Sequence, residues 1–172
     1  MKKVNLAEIE MLVLDVDGVL TDGTLIINGD GSESKPFNVL DGHGIRMWRR
    51  AGLKVAFLSG RQSEPTRCRA EQLEVDYCLQ GCHDKLPEIK KLAEQAGLTP
   101  GKIAYVGDDL PDLPVIKYAG FGVAVVNAAD EVKQSADFIT TLPGGSGAVR
   151  EVIEYILKET GRWQSFMERY LS

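Results

Sequence analysis

The sequence predicts an α/β fold: a doubly wound, mainly parallel sheet with a β-hairpin insertion and no large cap. Three observations carry this. Short apolar runs alternate with stretches of helical spacing along the chain. Polar or acidic residues follow several of those runs directly, where such sheets bind ligands. One Asn-Gly-Asp-Gly turn between β-formers interrupts the alternation.

The first predicted strand is Met11 to Val16, an apolar run that ends in acids. Residues 24–39 place β-formers on both sides of Asn28-Gly29-Asp30-Gly31, which predicts a hairpin. A lone hairpin is marginally stable, so this one leans either on its own domain or on a partner subunit. Helical patterns follow at Gly44–Ala51, Glu64–Leu73, Leu86–Ala96 (closed by Gly97), Pro111–Ala119 and Ala148–Lys158. Further strands are expected at Lys54–Leu58, Val75–Leu79, Ile103–Val106, Gly122–Val126 and Asp137–Thr140. In the tail, about 160–172, Trp163, Phe166, Met167, Tyr170 and Leu171 fall at helical spacing and could dock on the chain's own core.

At 172 residues, with no linker, repeat or low-complexity segment, the chain is expected to form a single domain over 1–172. The apolar fraction of 44% and charged fraction of 26% are ordinary for a globular protein. Residues 1–10 mix charge into their apolar positions, unlike a signal-peptide core, and no apolar run approaches the ~20 residues of a membrane helix. A cytoplasmic protein without membrane partners is the expectation. The net charge of −5 disfavours nucleic acid as a partner, but a metal and a few arginines could still draw a small anion into a cleft. Three cysteines, at 68, 78 and 82, argue against a disulfide framework. A zinc site at Cys78, Cys82 and His83 lacks a second ligand pair, so buried or partly buried thiols are expected instead.

The chemistry gathers at predicted strand ends. Asp15 and Asp17, two apart on an extended chain, point the same way, and Gly18 permits a sharp turn. One carboxylate can attack phosphorus while the other shuttles a proton; an isolated Asp-Val-Asp-Gly could equally be a turn. Ser59-Gly60-Arg61 offers a hydroxyl, a backbone amide and a cation to phosphate oxygens. Lys85 opens a helix and could neutralise a phosphoryl group. Asp108, Asp109 and Asp112 crowd three acids into five residues, which suits Mg²⁺ shared with phosphate; a solvated acidic turn is the bland alternative. Taken together, a nucleophile, charge-neutralising donors and a metal site are the parts of phosphoryl transfer.

That ordered set, spanning residues 11 to 112, resembles the haloacid dehalogenase superfamily, whose Rossmann-like fold matches the predicted one. Within it the chain looks like the 3-deoxy-D-manno-octulosonate 8-phosphate phosphatases, on Asp15 to Gly23, Phe37-Asn38-Val39, Asp41-Gly42, Gly44-Ile45-Arg46 and Gly144 to Glu151. The resemblance implies an Mg²⁺-dependent phosphatase with Asp15 as nucleophile and Asp17 as general acid/base. Ser59 and Lys85 would hold the phosphoryl group. The metal would be bound by Asp15, the Asp17 main-chain carbonyl and Asp108, with Asp109 and Asp112 in support. Substrate contacts carried over are Asp17, Asn38, Val39, Leu40, Asp41, Gly42, Arg46, Arg61, Arg69 and Lys85; Leu40 departs from the arginine of many relatives. The resemblance also implies a homotetramer whose hairpins associate, a neighbour's tail over each active site, and a small anionic sugar phosphate as substrate in lipopolysaccharide precursor synthesis. Alternatives are a phosphatase for a nine-carbon keto acid phosphate, a phosphomutase, a receiver-type signalling domain, and a non-catalytic binding subunit. The missing cap disfavours the mutase, Asp17 disfavours a lasting phospho-aspartate, and the intact acid pair disfavours the binding subunit.

Overall fold

The computed structural model describes residues 4–171; positions 1–3 and 172 of the expected domain and tail lie outside the described residues. In chain order the elements are β1 (Met11–Leu14), β2 (Ile26–Ile27), β3 (Glu33–Ser34), α1 (Val39–Arg50), β4 (Lys54–Leu58), α2 (Glu64–Leu73), β5 (Tyr77–Leu79), α3 (Lys85–Ala96), β6 (Ile103–Gly107), α4 (Leu113–Tyr118), β7 (Phe121–Ala124), α5 (Asp130–Ser135), β8 (Phe138–Ile139), α6 (Ala148–Glu159) and α7 (Trp163–Leu171).

Six strands form one sheet in the order β5-β4-β1-β6-β7-β8, and every pair in it is parallel. The two central strands, β1 and β6, are buried along their whole length, which explains why they read as continuous apolar runs rather than alternating ones. Helices cover both faces: α1 packs on α2 and α6, while α3 packs on α4 and α4 on α5. After β1 the chain winds toward β4 and β5; after β6 it winds the other way, toward β7 and β8. The carboxyl ends of β1 and β6 therefore flank the switch point, where connections diverge and leave a crevice.

Several boundaries differ from the sequence-based expectation. Helix α1 starts at Val39 rather than Gly44. Asn38 caps it by accepting from the Leu40 N–H, and glycines 42 and 44 hide this first turn because their helix propensity is low. Gly44 faces α6: a Cβ there would stand 3.2 Å from Arg150 Cα, so the glycine lets the two helices cross closely. The expected strand from Val75 shortens to Tyr77–Leu79, since Asp76 ties Val55 partly through its carboxylate (2.9 Å). Residues Pro111–Ala119 split into a 3₁₀ turn, Leu110–Asp112, and α4. The six-residue α5 has no counterpart among the expected helices; it buries only Val132.

The hairpin is real but its ladder is far shorter than 24–39, pairing only Ile26 with Ser34 and Ile27 with Glu33. Leu25, Ile26 and Ile27 remain exposed, so little packing holds more of it in register. Cys82 is buried as expected, whereas Cys68 and Cys78 are exposed. The tail forms α7 and docks on its own chain: it packs on α6, buries Phe166 and brings Tyr170 Oη to 3.3 Å from His43 Nε2.

Candidate active site

Asp15 follows β1 directly, and its N–H still donates to the Val106 carbonyl at 3.0 Å, so the sheet itself fixes its backbone. The chain then makes one tight turn, with the amides of Leu20 and Thr21 donating to the Val16 carbonyl. Gly18 enables it twice over. Its φ of +99° is costly for any other residue, and a Cβ there would strike the Asp108 carboxylate. The turn from β1 is thereby pressed against the acid that follows β6.

Lys85, the first residue of α3, reaches across with its ammonium 2.7 Å from Asp15 Oδ1 and 2.6 Å from Asp112 Oδ1. Asp112 is buried and saturated. Its Oδ1 also accepts from Tyr105 Oη at 2.6 Å, and its Oδ2 takes the N–H groups of Asp108 (2.9 Å) and Asp109 (3.2 Å). Asp109 caps the following turn by accepting from the Leu110 N–H. Ser59, also buried, is fixed through its backbone to Leu79 and Cys82, and its hydroxyl accepts from the Arg61 N–H at 3.2 Å.

Carboxylate oxygens of Asp15, Asp108 and Asp112 lie within 4.8 Å of one another. Burial, reinforced by the Asp112 charge, pushes the Asp15 carboxyl up to about 6 despite Lys85. Asp108 is pushed further, to about 8, by burial and by its Asp15 and Asp112 neighbours. Crowding of this kind is relieved by a hard cation. Asp112 has spent both oxygens on other donors, so Asp15 and Asp108 are left to bind one. Asp108 Oδ1 is buried and finds no hydrogen-bond partner among the described residues, as a metal-binding oxygen would. The donor set fits a divalent ion.

A cleft of about 420 Å³ is lined by Asp15, Asp17, Ser59, Arg61, Lys85, Asp108, Asp109 and Asp112, together with Gly60, Cys82, His83 and Pro111. All the residues expected to handle the phosphoryl group and the metal are thus brought together. The expected contacts Asn38, Val39, Leu40, Asp41, Gly42, Arg46 and Arg69 do not line it. Val39, Gly42, Arg46 and Arg69 line a second depression with His43. Asn38 caps α1 and donates to the Gly145 carbonyl at 3.2 Å, while Leu40 is exposed. The Asp41 carboxylate is buried at the start of α6, accepting from the N–H groups of Arg150 (2.8 Å) and Gly147 (3.3 Å).

Sequence reasoning missed two residues of the hairpin. Lys35 Nζ lies 2.5 Å from Asp17 Oδ1, and Glu33 Oε1 lies 3.2 Å from Arg61 Nη2. The available signal was an acid and a base two apart on a predicted strand, which places both on one face.

A doubly wound sheet with paired acids at its switch point and a lysine bridging Asp15 and the acid loop after β6 defines a hydrolase of the haloacid dehalogenase type. A family model described as haloacid dehalogenase-like hydrolase matches residues 78–153. The 3-deoxy-D-manno-octulosonate 8-phosphate phosphatase KdsC of Escherichia coli K12 is 41% identical over 154 residues, which is 90% of this chain and 82% of the relative. Among solved structures, the same phosphatase from Moraxella catarrhalis, in complex with magnesium, phosphate and a KDO molecule, superposes with a TM-score of 0.94 at 39% identity, covering 96% of this chain and 95% of that one. A cobalt-bound phosphatase from Haemophilus influenzae gives 0.88 at 40% identity, covering 91% of each chain. The chain belongs to the 3-deoxy-D-manno-octulosonate 8-phosphate phosphatase family.

Proposed function

We propose that the protein is a phosphoric monoester hydrolase that converts 3-deoxy-D-manno-octulosonate 8-phosphate to the free keto sugar acid and phosphate, in lipopolysaccharide precursor synthesis. The observation that carries this is the convergence of Asp15, Asp108 and Lys85 at the switch point. Asp15, Asp108 and the Asp17 main-chain carbonyl would hold Mg²⁺, which would supply positive charge to the phosphoryl oxygens.

The chain's own residues do the rest. Lys85 and Ser59 hold the phosphoryl group, and Lys85, with its ammonium already 2.7 Å from Asp15, sets the nucleophile and the phosphoryl charge side by side. Asp15 attacks phosphorus, the bond from phosphorus to the sugar oxygen breaks, and Asp17 gives that oxygen a proton. Asp17 then takes a proton from water, whose oxygen attacks the acyl phosphate and frees Asp15 and inorganic phosphate. Asp109 and Asp112 support the metal by shaping its loop. Arg61, at the cleft rim, takes the sugar acid's negative charge.

Asn38 to Gly42, Arg46 and Arg69 lie outside this cleft, and the Asp41 carboxylate is held by the Arg150 and Gly147 amides, so the substrate contacts within the cleft are Asp17, Arg61 and Lys85. The protein is read as a homotetramer whose hairpins associate. The exposed Leu25, Ile26 and Ile27 of the hairpin support such an assembly. The chain is read as one hydrolase domain over 1–172. Two exposed free thiols suit a reducing, cytoplasmic setting, and among the described residues no helix is long and apolar enough to cross a membrane. The test is phosphate release from a panel of eight- and nine-carbon sugar phosphates, with and without Mg²⁺. The expected result is Mg²⁺-dependent turnover, fastest on the octulosonate and reduced to background in Asp15→Asn with the fold intact. Turnover by that variant, or none by the wild type, overturns the reading.

A further inference from the structure

The buried hairpin lysine has no part in the mechanism above. Lys35 directly follows β3, its side chain is only 1% exposed, and its ammonium is 2.5 Å from Asp17 Oδ1. Burying an ammonium is costly unless it is paired, and the carboxylates facing it are Asp17 and, at 4.0 Å, Glu33. Pro36 restricts the preceding residue to extended backbone, which keeps Lys35 directed across the site. Glu33, two residues earlier on the same face, anchors Arg61 at 3.2 Å.

The other Asp17 oxygen shows what this arrangement accomplishes. Oδ2 is buried and has no hydrogen-bond partner among the described residues; Arg61 Nε stands 3.9 Å away, too far to bond. One oxygen is held and the other is buried but unpaired, on a residue that lines the cleft. Resting on the activity proposed above, we propose that Lys35 is the positioning residue for Asp17: it occupies one carboxylate oxygen so that the other faces the sugar oxygen leaving phosphorus. The hairpin is then a working part of the site and not only an assembly element.

Proton delivery matters for an alkoxide leaving group and hardly at all for p-nitrophenolate, which departs unprotonated. The value of kcat/KM covers the steps through the first phosphorus–oxygen cleavage. Comparing 3-deoxy-D-manno-octulosonate 8-phosphate with p-nitrophenyl phosphate therefore isolates the role. For Lys35→Met we expect kcat/KM on the sugar phosphate to fall by about 30- to 100-fold, through kcat. On p-nitrophenyl phosphate it should stay within about threefold, since no general acid is required there. Lys35→Arg, which keeps the cation, should recover most of the loss. An equal fall on both substrates would show a structural strut and overturn the inference. So would a rise in KM for the sugar phosphate with kcat unchanged, which marks a substrate contact. Should the wild type hydrolyse p-nitrophenyl phosphate but no alkyl phosphate, the substrate assignment itself fails, and this role with it.

Discussion

Replacing Asp112 with asparagine should cost this protein a large part of its stability, although the side chain barely changes shape. Asp112 is 1% exposed and its two oxygens accept from four donors: Lys85 and Tyr105 on one, the amides of Asp108 and Asp109 on the other. A side-chain amide has a single carbonyl oxygen. Whichever way the substituted amide is flipped, its NH₂ must face two donors, and the buried Lys85 loses one of its two negative partners. Breaking a buried charged pair from one side costs about 3–5 kcal/mol. Against a typical total of about 5–15 kcal/mol, that would lower Tm by roughly 6–20 °C for a chain of this size. Urea and thermal unfolding at one fixed protein concentration would measure it, with Tyr105→Phe as the milder control, losing about 1–2 kcal/mol for a single buried hydrogen bond. A loss below about 1 kcal/mol in Asp112→Asn would show that the four contacts do not act together, and would refute the view that this carboxylate organises the site.

Two further outcomes follow from the same geometry. Asp15 and Asp108 are pushed up to about 6 and about 8, above an unfolded aspartate near 3.9. Between those limits the metal-free fold binds more protons than the unfolded chain, so its stability should fall as pH rises from about 4 to about 8; added Mg²⁺ should cancel the fall, and a Tm gain from Mg²⁺ that does not grow with pH would contradict the assignment. Deleting residues 161–172 removes the buried Phe166 and should cost about 1.5–3 kcal/mol in unfolding; a change in kcat or KM would add support for a tail acting over a neighbour's cleft, and unaltered kinetics would remove that role.

The site was legible where function and backbone share the same few residues. Asp15, Asp17, Ser59 and the Asp108 to Asp112 cluster follow strand ends and Lys85 opens the helix after β5, so reading the strands and helix starts located the chemistry. The fold was legible for the same reason: β1 and β6 are buried on both faces and leave unbroken apolar runs. Helix α1 was half hidden because Gly42 and Gly44 serve contacts with Arg69 and α6, a tertiary demand that lowers local propensity. Lys35 and Glu33 left only a faint trace, since a lysine on a polar hairpin normally points to water.

By itself, then, the sequence determined the order of the strands and of every helix but α5, the carboxylates at the strand ends and the family they belong to, because these depend on local periodicity and short spacings. Only the tertiary structure decided what each carboxylate does. It assigned Asp112 to four donors, Asp41 to the start of α6 and Lys35 to Asp17, and it kept Arg46 and Arg69 out of the cleft. The links of Lys35 to Asp17, Lys85 to Asp112 and Asp41 to Arg150 join residues 18 to 109 positions apart; only folding sets the distances over which hydrogen bonds and buried charges act.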